Sequence, residues 1–291
     1  MAAGRDKGKE ETMIIAIASG KGGTGKTTVA ANLARVHGAV TLLDCDVEEP
    51  NVHLFLKGTP DGEPQEVSIL VPEVDEAHCD GCGECANFCE YKALAVLDKR
   101  VLVFKDMCHG CGGCARVCPQ NAISEKPNRI GILTSARVGD ITLVQGRLDV
   151  GVAMAPPLIR AVKALIPAQG DAILDAPPGT SCPMVATLRE ADFVVLVTEP
   201  TPFGLHDLRL AVAVVRELDI PCGVVINRAG SGDDSVTAYC RDEKIPLLAE
   251  IPDDRRVAEA YSRGELMVDA LPEYRAVFEA LYSEVKGEEK A

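Results

Sequence analysis

Residues 20–27, Gly-Lys-Gly-Gly-Thr-Gly-Lys-Thr, fit the pattern G-x-x-x-x-G-K-[ST]. The apolar run Met13–Ser19 (MIIAIAS) precedes them and a stretch of helical character, Thr27–Val36, follows. A glycine-rich turn that leaves a buried strand and enters a helix turns its backbone N–H groups towards an anion, and the helix dipole adds to the attraction. The candidate phosphate cradle is Gly20, Lys21, Gly22, Gly23, Thr24, Gly25, Lys26, Thr27 and Thr28. Lys26 is placed to reach the β- and γ-phosphates of ATP, and the Thr27 hydroxyl to bind Mg²⁺.

The rest of the chain repeats the strand-then-helix rhythm. Short apolar runs stand at Val40–Asp44 (VTLLD), Asp171–Asp175 (DAILD), Phe193–Thr198 (FVVLVT), Cys222–Asn227 (CGVVIN) and Leu247–Ile251 (LLAEI). Helical stretches separate the later runs, among them Leu205–Leu218, and Pro272–Lys286 reads as a packed terminal helix. Such alternation predicts an α/β fold, a mostly parallel, doubly wound sheet whose ligands gather at the carboxyl ends of its strands. Thr59–Glu66 (TPDGEPQE) reads as a loop or linker, and the α/β rhythm is expected to return after Pro127.

Between these halves lies a different composition. Eight of the chain's 12 cysteines fall between Cys79 and Cys118. The first run is Cys79-x₂-Cys82-x₂-Cys85-x₃-Cys89, and the second is Cys108-x₂-Cys111-x₂-Cys114-x₃-Cys118-Pro119. This is the bacterial two-cluster ferredoxin spacing written twice, in which the fourth cysteine of each run serves the other cluster. The expected ligand sets for two [4Fe–4S] clusters are Cys79, Cys82, Cys85 and Cys118, and Cys89, Cys108, Cys111 and Cys114. Zinc, the other use of paired C-x₂-C, takes four ligands per site with a longer gap between pairs. Glu90 stands where the pattern commonly has proline after the fourth cysteine. Ala93–Phe104 alternates like a hairpin, with a polar turn at 98–100. The expected organisation is a flexible segment at 1–11, an ATPase domain at 12–70 and 127–291, and a small α+β ferredoxin domain inserted at 71–126.

The run Ser19–Thr28 (SGKGGTGKTT) resembles the deviant phosphate-binding motif of the MinD/ParA/nitrogenase-iron-protein superfamily of P-loop ATPases. The resemblance covers residues 12 to about 56 and about 150 to the end, and it implies a P-loop NTPase sheet and an ATP-sandwiched homodimer in which Lys21 reaches the partner's nucleotide. Leu42–Asp46 (LLDCD) is similar to that family's switch I segment, where Asp46 would position or deprotonate the attacking water. Ile173–Gly179 (ILDAPPG) is similar to its switch II segment, where Asp175 would hold Mg²⁺ through water. Lys21, Lys26, Asp46 and Asp175 are thus the implied catalytic residues. Asn227 resembles the family's adenine-binding asparagine, with Pro252 and Asp253 completing that pocket. Cys182 lies seven residues after Asp175, the offset at which the nitrogenase iron protein carries a cluster ligand at its dimer axis. No second such cysteine lies between Cys118 and Asp175, and the other reading of Cys182 is a small packing residue at a helix start. Cys45, Cys222 and Cys240 read as packing residues.

The formal net charge of −14 argues against nucleic acid or anionic membrane as a partner. No apolar run is long enough to span a bilayer, and so many thiols without a secretory leader suit a cytoplasmic protein. The first functional expectation is an ATPase whose nucleotide-driven dimer switch is coupled to electron transfer with a redox partner through the two clusters. The alternative is an iron–sulfur or metallocofactor assembly and carrier ATPase that serves an acceptor. Carrier ATPases of the superfamily have a C-x₂-C pair towards the C-terminal side, whereas only Cys182, Cys222 and Cys240 follow the insert here. A second alternative is a redox-sensing scaffold ATPase.

Overall fold

The structure is a computed structural model that describes residues 12–287; the segment 1–11, expected to be flexible, lies outside the described residues. In chain order the elements are β1 Ile14–Ala18, α1 Lys26–His37, β2 Thr41–Asp44, β3 Thr59–Pro60, β4 Gln65–Val74, α2 Glu84–Phe88, β5 Leu94–Leu97, β6 Arg100–Val103, α3 Gly113–Val117, β7 Ile123–Val138 and β8 Ile141–Leu148. There follow α4 Ala155–Lys163, β9 Ala172–Asp175, α5 Cys182–Leu188, β10 Phe193–Thr198, α6 Pro202–Glu217, β11 Cys222–Ala229, α7 Ser235–Asp242, β12 Leu247–Pro252, α8 Arg255–Ser262, α9 Met267–Ala270 and α10 Arg275–Lys286.

The main sheet runs β12-β11-β10-β1-β9-β2-β8-β7-β3, with β4 also on β7. Pairs from β12 to β8 are parallel, and β3, β4 and β8 pair with β7 antiparallel. The apolar runs predicted from sequence are the parallel strands. The central ones, β1, β9 and β10, are buried on both faces, which is why they read as continuous rather than alternating. One core layer joins Leu158, Ile159, Met184, Leu208 and Val215 of α4, α5 and α6 to the sheet. The other joins Val29, Leu33, Phe278 and Leu281 of α1 and α10 to its opposite face. The fold is therefore the α/β, doubly wound sheet that the sequence predicts.

The sheet's far edge departs from that expectation. Thr59–Glu66 is not wholly a loop: Thr59 and Pro60 pair with Arg137 and Ala136, and β4 already begins at Gln65. Pro127 does not mark a boundary but lies within β7, opposite Leu70. Beside it β8 has not yet begun, since β7–β8 pairing starts at Gly131, so proline's missing N–H breaks no ladder. Together β4 and β7 form a long ribbon that carries the cysteine-rich unit at its tip, closed where the N–H of Asp75 donates to the carbonyl of Ala122 at 2.8 Å. Within that unit β5 and β6 make the expected hairpin. Its turn residues Asp98 and Lys99 both take positive φ, 47° and 68°, the backbone a two-residue turn requires.

Candidate functional site

The loop after β1 lies at the carboxyl edge of the sheet, in its centre. Its glycines serve different ends. A Cβ on Gly20 would stand 2.0 Å from the carbonyl oxygen of Asp207, so this glycine admits α6 rather than phosphate. Gly25 has φ 94° and lies against the Asn227 amide, whose nitrogen donates to the carbonyl of Thr24 at 2.9 Å. Asn227 thus supports the loop as well as lining the cleft above it. The cleft is lined by Gly22, Gly23, Gly25, Lys26, Thr27, Thr28 and Asp46, and on its far side by Asn227, Pro252 and Asp253. Arg228, Asp254 and Tyr261 also line it. Sequence reasoning missed Tyr261 because α8, which carries it, offers no local motif. Gly20, Lys21, Thr24 and Asp175 stand behind or beside this wall.

Lys26 is nearly buried, at 7% exposure, and burial lowers its pKa against the opposing charges of Asp175 and Asp46. Asp44 and Asp175 end neighbouring strands in matched register. Burial raises both carboxyls; Asp44 raises Asp175 further, and Asp46 does the same to Asp44. Both oxygens of Asp175 are buried without a hydrogen-bond partner, although the Thr27 hydroxyl lies close. Orphaned carboxylate oxygens beside a hydroxyl suit a hard, oxygen-seeking cation, so Thr27 and Asp175 fit Mg²⁺. The Thr24 hydroxyl is also buried without a partner.

Asp44 has a different part. Its carboxylate accepts from the backbone N–H groups of Asp46, Asn51 and Val52 at 3.2, 3.0 and 3.1 Å, and from Gln145 at 3.2 Å. It ties down the loop that presents Asp46 to the cleft. Burial raises Asp46, Lys26 counters this, and Glu48 and Glu49 add to it. Lys21 does not line the cleft. Its ammonium lies 3.4 Å from Glu199, just past β10, and Glu199 also holds Arg228 at 2.7 Å.

In the cysteine-rich unit, α2 and α3 each follow a left-handed glycine, Gly83 (φ 82°) and Gly112 (φ 70°). Backbone N–H groups donate to sulfur in the same register in both runs: Ala93 to Cys89 and Ala122 to Cys118, each at 3.3 Å. Gly110 donates to Cys108 at 3.4 Å. Burial raises the Cys85 thiol, and Cys118 and Cys79 raise it further. Burial pushes the Cys114 thiol up to about 11, with Cys108 and Cys111 adding. Cys118 therefore sits with the first run. Cys89 packs on Cys108, and Cys89, Cys108, Cys111 and Cys114 line one cavity. The fourth cysteine of each run has crossed to the other. Among the described residues no three His, Cys, Asp or Glu side chains converge on a point as a single ion would need. Thiols around a cavity, with amides aimed at their sulfurs, fit iron–sulfur clusters.

Cys182 is the first residue of α5 and is exposed, which removes the reading of a buried packing residue. Cys45 and Cys240 are buried and Cys222 half-buried. Among the described residues no helix is long and apolar enough to cross a membrane.

Comparison with known proteins agrees with this geometry. A protein of Methanocaldococcus jannaschii without assigned function (Uncharacterized protein MJ0579) is 34% identical over 261 residues, covering 88% of this chain and 91% of its own. An iron-sulfur cluster carrier protein of Pyrococcus abyssi is 25% identical, covering 98% of this chain and 92% of its own. Among solved structures, the septum site-determining protein MinD complexed with Mg-ADP from Pyrococcus horikoshii superposes with a TM-score of 0.58 at 21% identity, over 94% of this chain and 96% of that one; at this identity it shows the fold alone. The family described as CobQ/CobB/MinD/ParA nucleotide binding domain matches residues 15–267. With its glycine loop, paired strand-end carboxylates and the unpartnered oxygens of Asp175, the chain belongs to the CobQ/CobB/MinD/ParA nucleotide-binding family of P-loop ATPases.

Proposed function

We propose that this protein is an ATP-switched iron–sulfur carrier ATPase, in which residues 71–126 hold iron–sulfur clusters for delivery and the rest of the chain times their release. One structural observation carries the reading. The ribbon bearing the cysteine unit is hydrogen-bonded through β7 and β8 to β2, the strand that ends at Asp44 and presents Asp46. Movement of the Asp46 loop on hydrolysis therefore has a continuous, stiff connection to the thiols. The kinship with proteins named iron-sulfur cluster carrier protein supports this reading over the electron carrier expected first from sequence.

In the cleft, Lys26 binds the terminal phosphates, Thr27 and Asp175 hold Mg²⁺, and Asp46 orients and accepts a proton from the attacking water. Asn227, Pro252 and Asp253 receive the base. ATP draws two protomers together, and Lys21 leaves Glu199 to meet the partner's phosphates. A coupling of this kind requires that the nucleotide states contact the cysteine unit differently. Cys79, Cys82, Cys85 and Cys118 would hold one [4Fe–4S] cluster and Cys89, Cys108, Cys111 and Cys114 the other.

A second reading, electron transfer to a redox partner through two resident clusters, is favoured by the four cysteines that line one cavity, a full ligand set that suits retention. One experiment separates the two. Anaerobically purified, iron-loaded protein is mixed with a cluster-free ferredoxin in ATP, ADP or no nucleotide. Iron leaving the chain faster with ATP supports delivery. Full retention of iron, with a nucleotide-dependent reduction potential, supports electron transfer and rejects delivery.

A further inference from the structure

A groove separates the cysteine-rich unit from the body of the sheet, floored by α4 and α5 and walled on the other side by Tyr91 and His109. In a chain of formal net charge −14 its charge is reversed. Arg160, Lys163 and Arg189 line it against one carboxylate, Glu190. Lys163 is already engaged. Its ammonium donates to the carbonyls of Ala186 and Arg189 and lies 3.8 Å from Glu190. Arg160 and Arg189 are exposed, and neither side chain has an ion-pair or hydrogen-bond partner among the described residues. Arginines elsewhere, such as Arg129 and Arg216, lie against carboxylates.

The opposite wall is flat. Tyr91 and His109 stack with ring centroids 3.3 Å apart and planes 11° from parallel. The same two side chains line the cavity of Cys89, Cys108, Cys111 and Cys114. Whatever occupies the groove is thus one aromatic layer from that thiol set. Cys182 lies on the floor with its side chain exposed.

We propose that this groove is a second ligand site, which takes a small molecule bearing carboxylate or phosphate groups on a flat or apolar body. Guanidinium forks match the paired oxygens of either group, while Pro156, Pro157 and the Tyr91–His109 stack enclose the body. The inference stands on the groove's own residues and is the same whether the clusters are delivered or retained.

Cys182 reports on the site without being needed for it. Iron-loaded protein, whose cluster ligands are protected, is treated anaerobically with two thiol reagents, the dianionic aromatic 5,5′-dithiobis(2-nitrobenzoate) and the neutral 4,4′-dithiodipyridine. Cys182→Ser supplies the blank. The ratio of the dianion's rate to the neutral reagent's is expected to fall by roughly tenfold in the double variant Arg160→Gln/Arg189→Gln, about the effect of two partly exposed charge pairs. In the unaltered protein, citrate and inorganic pyrophosphate compete in separate arms against the neutral reagent. Protection by citrate alone assigns carboxylates, protection by pyrophosphate alone assigns phosphates, and protection by both assigns oxyanions in general. Equal rate ratios in the two proteins, or no protection by either competitor, overturn the proposal.

Discussion

Asp175 keeps two carboxylate oxygens buried and unpaired, a costly arrangement that makes sense only when a cation arrives. Its folded pKa lies above the unfolded value, so the nucleotide-free protein binds that proton more tightly when folded and loses stability as pH rises from about 4 through the folded value. Asp175→Asn is expected to raise the apparent Tm of nucleotide-free protein at pH 8, to leave it unchanged near pH 4, and to abolish Mg²⁺-dependent turnover; thermal scans at the two pH values and a phosphate-release assay check this. Asp46→Ala should spare nucleotide binding and slow hydrolysis by about 10²–10⁴-fold, the range for loss of a positioned base. Lys26→Ala should instead weaken binding itself, and fluorescent-nucleotide titration against turnover distinguishes the two. Glu199→Gln frees Lys21 from its home ion pair and should tighten ATP-dependent dimerisation a few-fold, read by sedimentation. Asp46 and Asp175 could be singled out because Asp175 ends an apolar strand and Asp46 follows one by two residues, in a fixed order. The anchoring part of Asp44 could not, since its partner Gln145 lies 101 residues away, nor could the hold of Glu199 on Lys21.

Strands buried on both faces announced themselves as apolar runs, but β7 and β8 did not. They alternate, carry glycine and proline, and have one face or edge to water, so their pattern is carried by pairing across the ribbon rather than by composition. The opposite end of the sheet shows a comparable long-range device. Asp171, just before β9, accepts from the N–H of Met13 at 3.1 Å, meets Lys286 at 2.7 Å, and is bonded by His37 and Tyr282. Burial alone would raise its pKa, and these partners drive it below the usual carboxylate range. A depressed carboxylate contributes stability above its unfolded pKa and loses it as pH falls towards the folded value. Asp171→Asn should therefore cost about 2 kcal/mol at pH 7, a charged hydrogen-bond network's typical worth, and the gap to the unaltered protein should begin to narrow below about pH 4 and go on narrowing towards the folded value. Denaturant titrations at pH 7 and at a series of pH values below about 4 test this.

Across the whole molecule the two motifs lie at opposite ends of one hydrogen-bonded path, a relation no local pattern encodes. Each motif on its own was readable, because phosphate loops and thiolate ladders need fixed residue types at fixed spacings. Anaerobic preparations are expected to contain about eight irons per chain, and stoichiometric zinc without iron would refute the ligand assignment. The neck of the ribbon has a consequence for how this chain came to be and how it can be taken apart. Asp75 and Ala122 are joined across a single strand spacing, so the unit between them enters and leaves the body at almost one point. To the sheet, that unit is a hairpin turn enlarged. Replacing residues 76–121 with Asn-Gly should restore an ordinary two-residue turn and give a colourless, folded ATPase. By the same logic the excised segment is portable, and an antiparallel hairpin in an unrelated scaffold is the natural place to graft it.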